Sequence, residues 1–145
     1  MANSPEIRRI LFIGAPPAKV WKALTEPRLT RDYYFGMKLR TRLRKGGAFC
    51  YESAGAGGFR EVIRGRIVGF KPERRLQVSF SFNHLQEPAS KVIFNLRPFG
   101  KATEMTLLHT GFGRSPATFT LASDGWDWIL SGLKTRVETG KPLRA

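Results

Sequence analysis

SPATFTLASDGWDWILSGLKTRVETG, residues 115–140, is the one stretch of this 145-residue chain that reads as a long helix, and it decides the fold. Ser115-Pro116 is a start signal: a cap residue, then proline at the first helical position, where its missing N–H would be unpaired anyway. Phe119, Ala122, Trp126, Ile129, Leu130, Leu133 and Val137 recur at helical spacing and form one apolar stripe. Gly140 is a natural C-terminal cap, and Pro142 prevents continuation. A helix with a single apolar stripe needs something to lie against. The rest of the chain must supply it.

Working outward, the period changes from 3.6 to two. Thr103 to Phe112 reads as a strand with Met105, Leu107 and His109 on one face. Lys91 to Pro98 is the strand before it, and Phe99-Gly100-Lys101 turns between them. Leu76, Val78, Phe80 and Phe82 alternate with Gln77, Ser79 and Ser81, the cleanest strand pattern in the sequence. Asn83 to Ala89 is a loop. Phe59 to Phe70 reads as one long strand, with Ile63 and Ile67 on one side and Arg60, Arg64 and Arg66 on the other. Lys71-Pro72-Glu73 turns out of it. Ser53 to Gly58 is small and glycine-rich and reads as a flexible loop. Phe49 and Tyr51 share one face of a further strand, reached from the turn signal Gly46-Gly47. Met37, Leu39, Thr41 and Leu43 alternate with Lys38, Arg40, Arg42 and Arg44, a half-buried strand with a basic outer face.

Ile7 to Gly14 is the first strand. Pro16 and Pro17 then open a short helix carrying Val20, Trp21 and Leu24, and Leu29 to Tyr33 reads as a second. The order is therefore strand, two short helices, six strands, one long helix, in a single domain over residues 7–142. The fold class is α+β. Strands joined by short turns pair antiparallel. One helix does not cover a flat sheet of about seven strands, so the sheet must curl around it. Curvature leaves room between sheet and helix, where Phe49, Tyr51, Phe80, Phe82, Phe94 and Trp126 point. Such side chains either fill the space as core or line an apolar pocket.

Composition sets further bounds. Hydrophobic residues make up 41% and charged residues 25%, a globular balance. The longest apolar runs are far too short to cross a bilayer, and Met1 to Ile7 has no leader pattern, so a cytoplasmic location is expected. Cys50 is the only cysteine, which excludes an intramolecular disulfide and a four-cysteine metal site. Twenty-five Lys and Arg against eleven Asp and Glu leave a formal net charge of +14. That field attracts anionic partners. No zinc-finger spacing, RNP-type motif or Gly-X-X-Gly clamp accompanies it, so sequence-specific nucleic-acid binding is not expected.

Several stretches taken together resemble a known superfamily. They are Ala15-Pro16-Pro17-Ala18-Lys19-Val20-Trp21-Lys22-Ala23-Leu24-Thr25, Gly46-Gly47-Ala48-Phe49, Thr106-Leu107-Leu108-His109-Thr110-Gly111-Phe112, Gly125-Trp126, and Leu133-Lys134 through Glu138-Thr139-Gly140. In order and spacing this resembles the START-like, helix-grip (SRPBCC) superfamily, and within it the branch similar to the activator of heat shock protein 90 ATPase. The resemblance spans Ile7 to Pro142. It implies a helix-grip fold with a ligand cavity between sheet and C-terminal helix. Members bind lipids, sterols or polyketides, and a few catalyse cyclisation, dehydration or hydrolysis. The branch is named for a co-chaperone with a further N-terminal domain, which this chain is not expected to hold, so chaperone activation is not carried over.

The candidate ligand-binding residues are Tyr34, Phe35, Phe49, Tyr51, Phe80, Phe82, His109, Trp126 and Leu130. His109 alternates with Met105 and Leu107 and so points inward. There it would hydrogen-bond a ligand or act as a general base; the preferred alternative is a core histidine satisfied by a backbone carbonyl or a buried tyrosine. His84 lies in a polar loop and should be solvated. Tyr33, Tyr34 and Phe35 would gate a cavity mouth or pack on the long helix. No Ser-His-Asp set, paired carboxylates or Glu-X-X-His stands in the sequence, and no catalytic residue, metal or cofactor is expected. Arg40, Arg42, Arg64 and Arg66 belong to the outer face, as a patch for an acidic protein or membrane surface or as a solvated face that discourages edge pairing. The expected function is binding of a small hydrophobic or amphipathic molecule, lipid or aromatic and polyketide-like, by a monomer or homodimer. The alternatives are an enzyme using His109 as base in the same cavity, and a chaperone- or acidic-partner-interacting module.

Overall fold

The computed structural model describes residues 5–55 and 57–145. Residues 1–4 of the segment read for a leader, and Ala56 of the glycine-rich loop, lie outside the described residues. The chain runs β1 (Ile7–Ile13), α1 (Pro17–Thr25), α2 (Pro27–Thr30), β2 (Lys38–Thr41), β3 (Phe49–Gly55), β4 (Gly58–Arg64), β5 (Ile67–Lys71), β6 (Arg75–Phe82), β7 (Ser90–Phe99), β8 (Ala102–Thr110) and α3 (Pro116–Thr139). Every strand pairing is antiparallel. The strand order is β1-β8-β7-β6-β4-β3-β2, with β5 also pairing β6. The α+β architecture expected from the periodicities, an antiparallel sheet with one long C-terminal helix, is present and agrees with the helix-grip fold that the resemblance implied; among the described residues no helix is long and apolar enough to cross a membrane.

The expected Phe59 to Phe70 strand is two strands, which makes eight in the sheet. The break falls at Gly65 and Arg66. A Cβ at Gly65 would lie 2.3 Å from the Ser79 carbonyl oxygen and 2.7 Å from that of Phe49. Only glycine lets the chain pass between those two backbones. β4 and β5 thus both run along β6, β4 against its C-terminal end and β5 against its N-terminal half.

Two further expectations are corrected. β2 ends at Thr41, and Leu43 is exposed rather than inward. The chain has already turned there, with Arg44 N–H donating to Arg42 O and Gly47 N–H to Arg44 O. The glycine-rich stretch is shorter as a loop than it reads, because β3 runs on to Gly55 and β4 starts at Gly58.

α3 lays Ala122, Trp126, Ile129, Leu130, Leu133 and Val137 inward, all buried. Leu39, Leu76, Met105 and Leu107 of the sheet are also fully buried and belong to the same core. Ser115 does not cap α3 through its side chain: its hydroxyl donates to the Pro88 carbonyl at 2.7 Å. The cap comes instead from Glu87, whose carboxylate accepts from Thr118 N–H at 2.7 Å and Ala117 N–H at 3.2 Å. A carboxylate at this end also complements the helix dipole.

Candidate functional site

An interior surrounded by aromatic side chains can be either full or hollow, and here it is mostly full. Tyr34 stacks on Tyr51 with ring centroids 3.9 Å apart and planes within 15°. Trp126 meets Tyr34 edge-on at 6.1 Å and Phe94 at 6.0 Å, and Phe80 lies 6.4 Å away. Phe49 packs edge-on against Tyr51 at 5.6 Å. The void left among Phe49, Tyr51, Val92, Phe94 and Trp126 is about 10 Å³, room for one water at most.

The open space lies nearer the surface. A cleft of about 380 Å³ separates the N-terminal half of α3 from β4, β6 and the Tyr34–Met37 segment. Its sheet wall is Val62, Ile63, Phe80 and Phe82, and its helix wall is Leu121, Ala122, Gly125, Trp126 and Ile129. Phe35 stands at the mouth, 56% exposed, with its backbone in the left-handed region at φ 51°. That conformation is uncommon for an aromatic residue, and the ring reaches toward Gly125 across the opening; Phe35 Cε2 lies 3.6 Å and Cζ 4.0 Å from the position a Gly125 Cβ would take.

Five candidates expected from the sequence therefore meet at the cleft: Tyr34, Phe35, Phe80, Phe82 and Trp126. Phe49 and Tyr51 face only the small inner void. Leu130 lies beside a different surface depression, with Arg9, Leu11 and Lys134. His109 lines neither the cleft nor the void. Val62, Leu121, Asp124 and Gly125 line the cleft without being among the ligand-binding candidates, Gly125 standing above only in the stretch Gly125-Trp126, and His84 joins them from its loop. One signal in the sequence pointed to the helix wall: a glycine inside a long helix is destabilising by ~1 kcal/mol relative to alanine and so asks for a reason.

His109 is fully buried. Trp126 Nε1–H donates to its Nδ1 at 3.0 Å. An indole nitrogen only donates, so Nδ1 accepts and the proton sits on Nε2. Nε2 lies 2.7 Å from Ser90 Oγ, which in turn donates to the Phe80 carbonyl at 3.1 Å. Both ring nitrogens are satisfied, by an indole and a hydroxyl rather than by a carbonyl or a tyrosine. Burial pushes the His109 pKa down to about 3, so the ring is neutral. With its one lone pair engaged, the ring has no free basic site.

The tyrosines differ in their partners. Tyr33 OH donates to the Ala23 carbonyl at 2.7 Å. Burial, reinforced by neighbouring phenols, holds Tyr33 and Tyr34 well above the usual tyrosine range, and burial alone does the same for Tyr51. All three remain protonated. Among the described residues no fully buried side-chain oxygen or nitrogen lacks a partner.

On the outer face, Glu61 gathers Arg40, Arg64 and Asn83. Hydrogen bonds from Arg64 and Asn83 hold its carboxyl down at about 2. Glu52 adds a second partner for Arg40. Two of the four outer-face arginines, read as either a basic patch or a solvated face, are thus ion-paired. Arg42, Arg44 and Arg66 have no carboxylate partner among the described residues and border a depression of about 430 Å³.

Comparison with known proteins gives a consistent frame. The family model described as Activator of Hsp90 ATPase homolog 1-like protein matches residues 14–138. No curated protein matches the chain. Among solved structures, CalU16 from Micromonospora echinospora is 25% identical with a TM-score of 0.75, over 95% of this chain and 76% of that one. DynU16, from the dynemicin biosynthetic locus, is 26% identical with a TM-score of 0.76 over 97% of this chain, which spans only 49% of that protein. PFC0360w, an HSP90 activator from Plasmodium falciparum, is 17% identical with a TM-score of 0.74 over 94% and 97% of the two chains, and shows the fold alone.

Proposed function

The chain belongs to the Activator of Hsp90 ATPase homolog 1-like family, and from that premise we propose that it binds a small hydrophobic or amphipathic molecule, lipid or aromatic and polyketide-like, without transforming it. The observation that supports this reading is the cleft of about 380 Å³ walled by Tyr34, Phe35, Phe82 and Trp126. Removing apolar surface from water there is favourable by about 25 cal/mol per Å², and leaving the cleft empty forgoes contacts that a filled core would make. Similarity to a protein from a biosynthetic locus supports a natural-product-like ligand. The enzyme alternative is the weaker one, since His109 has no free lone pair and lies outside the cleft.

The test is a thermal-shift and native-mass screen of the purified protein against lipids and aromatic metabolites, repeated with Gly125→Leu. A side chain at Gly125 runs toward Phe35 and Ile129 and should plug the mouth. Expected is at least one ligand that raises Tm and is lost in the variant. A screen without hits, or hits indifferent to Gly125→Leu, overturns the reading.

A second reading has its own observation. Arg42, Arg44 and Arg66 surround one depression and have no carboxylate partner among the described residues, and we infer that they dock an acidic protein surface. Such docking should weaken steeply with salt and disappear when all three are changed to alanine; binding that survives both refutes it.

A further inference from the structure

The chain carries twenty-five Lys and Arg, yet none of the fourteen residues lining the cleft is one of them. The single acidic group there is Asp124. Of the eleven carboxylates, eight are in ion pairs and Glu87 caps α3. Only Glu73, in the turn between β5 and β6, and Asp124 have no such partner among the described residues.

Its place in α3 does not explain Asp124. It sits more than two turns into the helix, beyond the reach of the N-terminal dipole. The neighbours able to pair with it along the helix are Thr120, Leu121, Asp127 and Trp128, none of them basic. Asp127, the like charge among them, is taken by Arg9 at 2.8 Å. His84 is the one basic side chain in the lining and forms no ion pair with Asp124, so in a chain of net charge +14 this carboxylate, without an ion-pair partner among the described residues, is free to take a cation from outside. The walls suit the same guest: Tyr34, Phe35, Phe82 and Trp126 line the cleft, and aromatic rings attract a cation that reaches their faces.

Resting on the cleft reading above, we propose that the ligand is an apolar molecule bearing a protonated amine, its body against the aromatic walls and its ammonium on Asp124. Anionic amphiphiles such as fatty acids are disfavoured at this site despite the basic surface elsewhere.

The test uses three probes with one apolar body: 1-naphthylmethylamine, 1-naphthylmethanol and 1-naphthoic acid, titrated calorimetrically into the full chain. The amine should bind roughly 3- to 10-fold tighter than the alcohol, as expected for a part-exposed ion pair helped by aromatic faces. Asp124→Asn should abolish that preference and leave the alcohol unchanged. Glu73→Gln, which alters net charge equally, should keep it. Equal binding of amine and alcohol, tighter binding of the acid, or a preference that survives Asp124→Asn overturns the charge assignment while the cleft reading stands. Failure of all three probes, or binding unaffected by Gly125→Leu, removes both.

Discussion

The indole N–H of Trp126 points into Nδ1 of His109 at 3.0 Å, joining the middle of α3 to the last strand of the sheet through one buried hydrogen bond. The bond settles the tautomer, and through Ser90 it extends to the Phe80 carbonyl. A residue at the cleft wall and a residue of the sealed core are thereby one unit. Removing a partner leaves a buried polar atom unpaired, which costs about 1–3 kcal/mol. Trp126→Phe and Ser90→Ala should each lower stability by that order, the first by more because indole volume is lost as well. Chemical denaturation measures both. An unchanged midpoint would mean that the chain of bonds contributes nothing.

The same unit sets a pH dependence. The folded pKa of His109, about 3, lies below the ordinary value of roughly 6.5, so the proton prefers the unfolded chain. Stability is then complete above about pH 6.5 and falls as pH drops toward 3, with a limiting slope of ~1.4 kcal/mol per pH unit. Glu61, Glu87 and Glu138, also lowered, add the same sign only below their ordinary value of 4.5. The interval between about pH 6.5 and 5 therefore belongs to His109. Denaturation midpoints across it should slope in the native chain and flatten in His109→Gln; equal slopes would contradict the assignment.

Two glycines of α3 should respond oppositely to alanine. At Gly125 a Cβ meets only Phe35 and Ile129 at 3.6 Å or more, an ordinary contact. Gly125→Ala should raise stability by ~0.5–1 kcal/mol, the helix-propensity gain. At Gly132 a Cβ would lie 3.1 Å from Tyr33 Cβ and 3.5 Å from its Cα and carbonyl oxygen, so the backbones must separate. Gly132→Ala should bring no gain and should loosen the α3 contact with Tyr33. Thermal melts of the pair decide, and identical shifts would refute the packing argument.

Glu87 reaches from the loop before β7 to the first turn of α3. Glu87→Ala should expose the amides of Ala117 and Thr118, seen as faster hydrogen exchange confined to that turn. Ser115→Ala should leave those two amides protected, because its hydroxyl serves Pro88. The reverse pattern would restore Ser115 as the cap.

What the sequence determined alone was everything that repeats locally. A period of two marks the strands and a period of 3.6 marks α3. Gly140, at φ 77° with its N–H on the Arg136 carbonyl, ends the helix where its position suggested. Periodicity assigns a side chain to a face and is silent on depth, so Phe49, Phe82 and Leu130 looked equivalent when only Phe82 borders the cleft. Tertiary structure decided the rest. Gly65 splits a strand because Ser79 and Phe49 cross it, Glu87 caps a helix thirty-one residues away from Thr118, and Trp126 claims the lone pair of His109. Each depends on partners distant in sequence, and hydrogen bonds, close backbone approaches and leftover volume are properties of how elements meet rather than of any one of them.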